Sequence, residues 1–339
     1  MKLHFTIRDL LWLALVAALL PARFVVAEEI QPIDMKKTRE SLANRLHSLQ
    51  NLVIEYKMHE AFSPPPSLVA AVAAANNAAG RMTTAIDLLS EDHLCKFRYL
   101  DGRLWLEQHL TEESVKSLPG YEFKDEIHSF FDGGYEQYVL PIQGFKGMGT
   151  GIRSRQPKKL LTDPIDLGLG VRIDGDQKWV TSEELKNLPI EITSDGQVSI
   201  HKQADTSGRT HTWNFDPQND YALKQYLVVR NGIAETTVFC RGFHNVGGLT
   251  LPNQIDIRRY ALIDGQIMQV MQTSFEVTNY QLNSPDNTPE SFYMTWPINT
   301  GVVDEITGKK HLVLTKPLQL DDVKVPEILD KQKSGDEGH

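Results

Sequence analysis

The chain has 339 residues, of which 41% are hydrophobic and 23% charged, and its formal net charge is −9. That composition excludes wholesale disorder, and the acidic balance excludes generic nucleic-acid binding, which needs a dominant basic face. The length suits one large domain or two ordinary ones.

The first residues, MKLHFTIRDLLWLALVAALLPARFVVAEE, set Lys2 and Arg8 ahead of an apolar run from Leu10 to Leu20. The run is short against the roughly 20 residues of a spanning helix. Val25-Val26-Ala27 supplies β-branched and small positions ahead of a cleavage point. The expectation is a signal peptide over 1–27 and a mature chain beginning near Glu28, with an uncleaved N-terminal membrane anchor as the alternative. No cysteine follows the apolar run to carry a lipid. Export bears on Cys95 and Cys240, the only two cysteines. In an oxidising compartment they could pair as one disulfide; two buried thiols are the other reading.

Asp34 is placed to cap a helix running to about Gln50, with Met35, Leu42, Leu46 and Leu49 as its apolar stripe. Lys36, Lys37, Arg39, Glu40 and Arg45 fall mostly on the other side. The period then changes to two. In VIEYKMHEA, Ile54, Tyr56 and Met58 alternate with Glu55, Lys57 and His59, the pattern of a strand with one buried face.

A turn signal recurs from there on, at Asp101-Gly102, Asp132-Gly133, Asp174-Gly175, Asp195-Gly196, Asn231-Gly232 and Asp264-Gly265. Such pairs suit tight hairpin loops, and most lie between β-branched or aromatic residues, so an antiparallel meander is expected. HLCKFRYLDGRLWLEQHL shows the logic. His93, Cys95, Phe97 and Tyr99 share one parity, and Leu104 and Leu106 share one on the return. Its polar residues are scattered over two faces, which makes it a hairpin and not a convergent site.

Three segments interrupt the meander. SPPPSLVAAVAAANNAAG (63–80) reads as an insertion with a short helix or flap, alternatively an apolar lid. GFKGMGTGIRSRQPKK (144–159) is a glycine-rich loop that gathers Lys146, Arg153, Arg155, Lys158 and Lys159, a patch suited to a membrane headgroup or an acidic partner. Pro157 denies it the helix start that a phosphate cradle needs. TSEELKNLP (181–189) has capping-box spacing and is stopped by Pro189. One domain over 28–320 is expected, with insertions near 63–92 and 141–165 and a polar tail over 321–339.

Motifs for chemistry do not appear. There is no HExxH, HxH, paired CxxC or GxSxG. His93 and Cys95 point the same way, and His201 and His211 flank one loop, but neither pair comes with a third ligand. The reading is therefore of a non-catalytic protein with no metal and no cofactor; a hydrolase assembled from distant strands is the enzymatic alternative.

LQNLVIEYKMHEAF, HTWNFDPQNDYALKQYLVVRNG and FYMTWPINTGVVDEITGKK, taken in this order, resemble the exported bacterial lipoprotein carriers of the LolA-like superfamily, with the RseB-like sensors beside them. The resemblance spans roughly residues 35–313. It implies a mainly β (α+β) fold, a curved antiparallel meander forming an unclosed β-barrel with a few covering helices and an apolar cavity for acyl chains. It implies a periplasmic or secreted protein of the cell envelope that binds a lipid, an acyl chain or a lipoprotein segment. The candidate cavity-facing residues are Ile54, Tyr56, Met58, Phe97, Tyr99, Met271, Phe275 and Val277. The alternatives are a filled core and an envelope scaffold or sensor that binds another protein.

Overall fold

A computed structural model describes residues 35–63, 90–117, 123–131, 134–141, 149–155, 188–203, 208–263 and 265–320. All belong to one unit, Met35–His339. The leader, most of both insertions, the 181–187 segment and the tail lie outside the described residues.

Helix α1 (Met35–Ser48) leads into β1 (Asn51–Phe62). There follow β2 (Ser90–Leu100), β3 (Arg103–Leu110), the short helix α2 (Glu112–Ser117), β4 (Phe123–Phe131), β5 (Gly134–Pro141) and β6 (Gly149–Ser154). A second run comprises β7 (Ile190–Ile192), β8 (Val198–Gln203), β9 (Arg209–Asp216), β10 (Ala222–Arg230) and β11 (Ile233–Arg241). The small hairpin β12 (His244–Val246) and β13 (Leu249–Leu251) precedes the long pair β14 (Gln254–Ile263) and β15 (Gln266–Leu282). The chain closes with β16 (Thr295–Trp296), β17 (Thr300–Asp304), β18 (Lys309–Val313) and β19 (Leu318–Gln319).

Fifteen of these strands form one sheet, in the order β18-β17-β6-β5-β4-β3-β2-β1-β15-β14-β11-β10-β9-β8-β7. Two meanders are thus sewn together by the long-range antiparallel pairing of β1 with β15, from Leu52↔Leu282 to Phe62↔Met271. The order ends in β18 and β7, so the sheet is not closed into a barrel. Among the described strands the one parallel pair is β17 with β6.

The expected tight-turn chemistry is present at two of the pairs, whereas Asp195-Gly196 lies in a longer loop between β7 and β8 in which, of the two, only Gly196 has positive φ. Asp101 and Gly102 have φ of 44° and 89°, and Asn231 and Gly232 have 51° and 78°. Both central residues lie in the left-handed region, so each loop joins its strands without splaying them. β2 and β3 pair from His93↔Leu110 to Leu100↔Arg103, which makes 93–110 a hairpin as read from its alternation.

Alternation buries Leu52, Ile54, Tyr56 and Met58 of β1 on what is called here the inner face. The opposite, outer face is polar over much of the centre but carries a second core at one end. There Tyr138, Met294, Trp296, Val302 and Val313 pack together, with Trp105 and Ile127 against them. The segment from Pro289 to Trp296 lies over this end of the sheet, which β17 and β18 then extend: Met294 N donates to Glu136 Oε2 at 3.0 Å, and Ser129 Oγ donates to the Phe292 carbonyl. Gly151 is required under Trp296, because a Cβ there would collide with the indole.

Candidate functional site

The inner face is continuous over most of the sheet. One cross-strand row reads Ile200, Trp213, Tyr226, Val238, Ile257 and Thr273, all buried. The neighbouring row reads Cys240, Ile255, Phe275 and Met58. Further along, Ile54 faces Phe97, which faces Leu106, and Leu52 faces Tyr99, which faces Leu104. These residues come together because antiparallel partners opposite one another share a face. Tyr56 and Phe275 meet edge to face at 5.4 Å.

Seven of the eight cavity-facing candidates, Ile54, Tyr56, Met58, Phe97, Tyr99, Phe275 and Val277, are therefore buried on one surface. Met271 is only half buried; it pairs with Phe62 at the end of β1. The sequence reading placed a hairpin at Asp264-Gly265 but named no inward candidate on β14. Its alternation in QIDIRRY, with Ile255 and Ile257 inward, was the available signal.

Neither cysteine is part of a disulfide, and both are buried. Cys95 on β2 and Cys240 on β11 are separated by four inter-strand steps in the sheet order. Steps of about 4.8 Å carry them far beyond disulfide reach, so the bridge that export would permit does not form. Burial pushes each thiol up to about 12, which leaves neither nucleophilic.

Helix α1 covers part of this face, but its inward stripe differs from the expected one. Thr38, Leu42, Arg45 and Leu49 are buried; Leu46 lies outside what the side-chain description covers. Arg45, expected on the solvent side, is only 3% exposed. Its guanidinium donates to the carbonyls of Asp220 (3.2 Å) and Thr250 (2.6 Å), and Nη1 lies 3.5 Å from Asp220 Oδ2. Desolvation lowers its pKa to about 10, against the attraction of Asp220, Tyr280 and Cys240. A long aliphatic stem lets arginine occupy an apolar stripe when the head finds acceptors, which periodicity alone does not reveal. Arg39 donates to the Leu188 carbonyl at 3.1 Å, and Thr38 Oγ1 sits 3.2 Å from the Tyr221 hydroxyl. The helix is thus held down at its inward polar positions largely by hydrogen bonds to loops.

The basic patch changes as well. Arg153 is 2% exposed, with Nε 3.6 Å from Glu136 Oε1 and Nη1 4.0 Å from Asp304 Oδ2, so it cannot face a headgroup. Arg155 is exposed, and Lys146, Lys158 and Lys159 lie outside the described residues. His201 and His211 do not converge: Lys202 pairs with His211 while His201 pairs with Thr212, on opposite faces. Among the described residues no group of three His, Cys, Asp or Glu could hold a metal ion.

On the outer face, at the centre of the sheet, lies a groove of about 580 Å³ bordered by Lys57, His59, Asp92, Arg241, Asp256 and Glu276. His59 Nδ1 pairs with Asp92 Oδ1 at 2.8 Å, and Ser90 Oγ lies 3.5 Å from His59 Nε2. The order of groups is that of a hydrolytic triad. His59 and Asp92 are 48% and 53% exposed, however, and water competes for each of them, so the cluster is a cross-strand polar pair with a serine beside it.

No family model matches this chain, and no curated protein matches it. Solved structures do. A LolA superfamily protein from Nitrosomonas europaea is 11% identical, covering 78% of this chain and 99% of its own at a TM-score of 0.43. A DUF1329 family protein from Desulfovibrio piger is 9% identical over 77% and 98%, at 0.39. A domain assigned to outer membrane lipoprotein sorting in Vibrio parahaemolyticus is 8% identical over 76% and 97%, at 0.38. The unclosed, mainly β architecture itself rests on this chain's own strand order and register. Among the described residues no helix is long and apolar enough to cross a membrane.

Proposed function

We propose that this protein is a non-catalytic binder of an acyl chain, lipid or lipoprotein segment, exported to the periplasm or the cell exterior. The ligand lies along the inner face at Ile54, Tyr56, Met58, Phe97, Tyr99, Phe275 and Val277, with Met271 at the margin. The observation that carries this reading is a continuous apolar face running from β8 to β3 beneath a helix whose inward stripe includes a hydrogen-bonded arginine. Charge-assisted hydrogen bonds of that kind are worth about 1.5–3 kcal/mol net, because water replaces them when the guanidinium is exposed. A helix so attached is suited to lifting and admitting a chain. Arg155, with Lys146, Lys158 and Lys159, is the companion proposal for contact with an acidic headgroup or partner.

Native mass spectrometry of the mature chain, purified gently from an envelope fraction, tests this reading. The expected result is extra mass that organic extraction removes and that proves to be acyl lipid. A bare mass, with no uptake of a fluorescent fatty acid, would sink it. Phe275→Asn should then weaken fatty-acid uptake while Lys57→Gln, on the other face, should not. The second reading is a scaffold or sensor that binds an envelope protein, and the open outer groove beside His59 and Asp256 is what favours it. Pull-downs with charge reversals at Lys57 and Glu276 test that one.

A further inference from the structure

One buried donor on the inner face has no acceptor. Trp213, on β9, is fully buried, and its indole Nε1 has no hydrogen-bond partner among the described residues. A buried N–H in that state is rare in folded proteins and costly. The ring itself is firmly placed. It packs against His211 and Tyr226, with centroids 5.8 Å and 5.3 Å away and planes within 22° of parallel. The Tyr226 hydroxyl and His211 Nδ1 lie 2.8 Å apart in a hydrogen bond of their own. Three rings in near-parallel contact, two of them tied together, fix the direction in which the indole N–H points.

The setting selects what that N–H can take. Neighbouring positions on the same face, Ile200, Phe215, Val228 and Val238, are buried and apolar. An ordered water needs roughly two to four polar partners, and these side chains offer none. A carboxylate or phosphate would need a cation to offset its desolvation. The Arg45 guanidinium is held by the Asp220 and Thr250 carbonyls, and Lys202, opposite His211 in the next row, is only half buried at the end of β8. An uncharged carbonyl oxygen satisfies the indole without bringing a charge into an apolar row. Esterified acyl chains carry such an oxygen at one end.

The sheet order also sets a length. From β9 through β10, β11 and β14 to β15 there are four inter-strand steps, about 19 Å along the sheet. An extended long-chain acyl group spans that distance. We infer that Trp213 is the polar end of the acyl site, its indole N–H donating to the ester carbonyl of a chain whose tail lies over Phe275 and Val277. This rests on the acyl-binding reading of the inner face, and it adds the chemical class of the ligand and the direction in which it lies.

Displacement of the fluorescent probe N-phenylnaphthylamine from the full mature chain tests it, with methyl palmitate, heptadecane and palmitate supplied from cyclodextrin as competitors. The first two have chains alike, and only the ester has a carbonyl. Trp213→Phe keeps an aromatic ring and removes the N–H. It should weaken methyl palmitate about tenfold and leave heptadecane and ionised palmitate within about twofold of the wild type. Trp296→Phe removes an indole N–H that is equally without a partner among the described residues, in the outer core, and should change none of them. Dipalmitoylglycerol and a dipalmitoylated lipopeptide separate the two sources of such an ester. Dependence of either on Trp213 supports the subsite and names the source; dependence of neither overturns it. The subsite is also overturned if Trp213→Phe binds methyl palmitate as the wild type does, or if ester and hydrocarbon weaken together, which would make Trp213 a packing residue. A loss for palmitate equal to that for the ester would overturn the uncharged acceptor. Displacement by ester and hydrocarbon alike, indifferent to Trp213→Phe, removes the subsite alone, whereas no displacement from the wild type by any competitor removes the acyl reading with it.

Discussion

Arg153 offers the sharpest test of the structure. It lies in one cross-strand row with Glu136 and Asp304, on three adjacent strands, and all three are almost completely buried. The carboxylates have other donors: Met294 N for Glu136, and Ile306 N, Thr307 N and Thr307 Oγ1 for Asp304. The Arg153 carbonyl accepts from Glu305 N at 2.8 Å. Replacing Arg153 with Met keeps the stem and removes the buried cation of the row; Lys309, opposite Asp304 on β18, is exposed to water. At an effective dielectric constant of 20, each contact near 4 Å is worth about 4 kcal/mol before desolvation. Most of that offsets the cost of burying three charges. What matters is that two buried carboxylates would be left without their cation, a situation that typically costs about 3–5 kcal/mol. With a urea slope of about 3 kcal/mol per molar, the midpoint should fall by about 1–1.7 M. Urea melts followed by tryptophan fluorescence suit the measurement, because Trp296 lies in the core that this row underpins. Neutralising all three members together, as Arg153→Met, Glu136→Gln and Asp304→Asn, should recover a substantial part of the loss. A midpoint for Arg153→Met within about 0.2 M of the wild type would refute the buried ion row and return Arg153 to the surface patch.

Gly151→Ala should drive a methyl group into the Trp296 indole, costing about 1–3 kcal/mol and lowering Tm by about 2–8 °C in a calorimetric scan. Asn287 Nδ2 lies 2.9 Å from Asn51 Oδ1 and 3.2 Å from the carbonyls of Leu52 and Tyr99, so Asn287→Ala should lose about 1–3 kcal/mol in chemical denaturation. Neither Cys95 nor Cys240 should react with a thiol reagent at pH 8 in the folded protein, and both should react in urea; rapid labelling of the native chain would contradict their burial. The same thiols set an alkaline limit. Their folded pKa of about 12 lies above the ordinary 9.0, so their contribution is fully present below pH 9 and is lost as pH rises from 9 toward 12. A melting temperature that rose across that window would overturn the sign.

Much of the architecture was legible because alternation and turn chemistry act locally. Ile54, Tyr56 and Met58 on one strand, and Phe97 and Tyr99 on another, are inward for the reason their parity predicts. The turns at 101–102 and 231–232 adopt positive φ at both central positions as their residue types favour. Arg45 and Arg153 were misplaced by the same local logic. Whether a guanidinium can be buried depends on acceptors supplied by Asp220, Thr250, Glu136 and Asp304, all distant in sequence. Nor could local pattern choose between the two readings of the cysteines, a bridge or two buried thiols; the second holds. Export makes a bridge permissible, but the strand order sets Cys95 and Cys240 four strands apart.

By itself, then, the sequence determined the period-two runs, their tight turns, the leading amphipathic helix and which residues of each strand share a face. These depend on side chains two, three or four positions apart, and on the backbone preferences of Asp-Gly and Asn-Gly. Only the tertiary structure decided that β1 pairs with β15 across most of the chain, that β17 joins β6 in parallel, and that the segment from Pro289 onward builds a second core on the outer face. It also decided that the β14–β15 hairpin runs past its neighbours with Leu262 and Ile267 exposed. Each is a choice among strand partners that alternation leaves equivalent. It is settled by how many apolar side chains and hydrogen-bonding groups each arrangement buries and pairs at once.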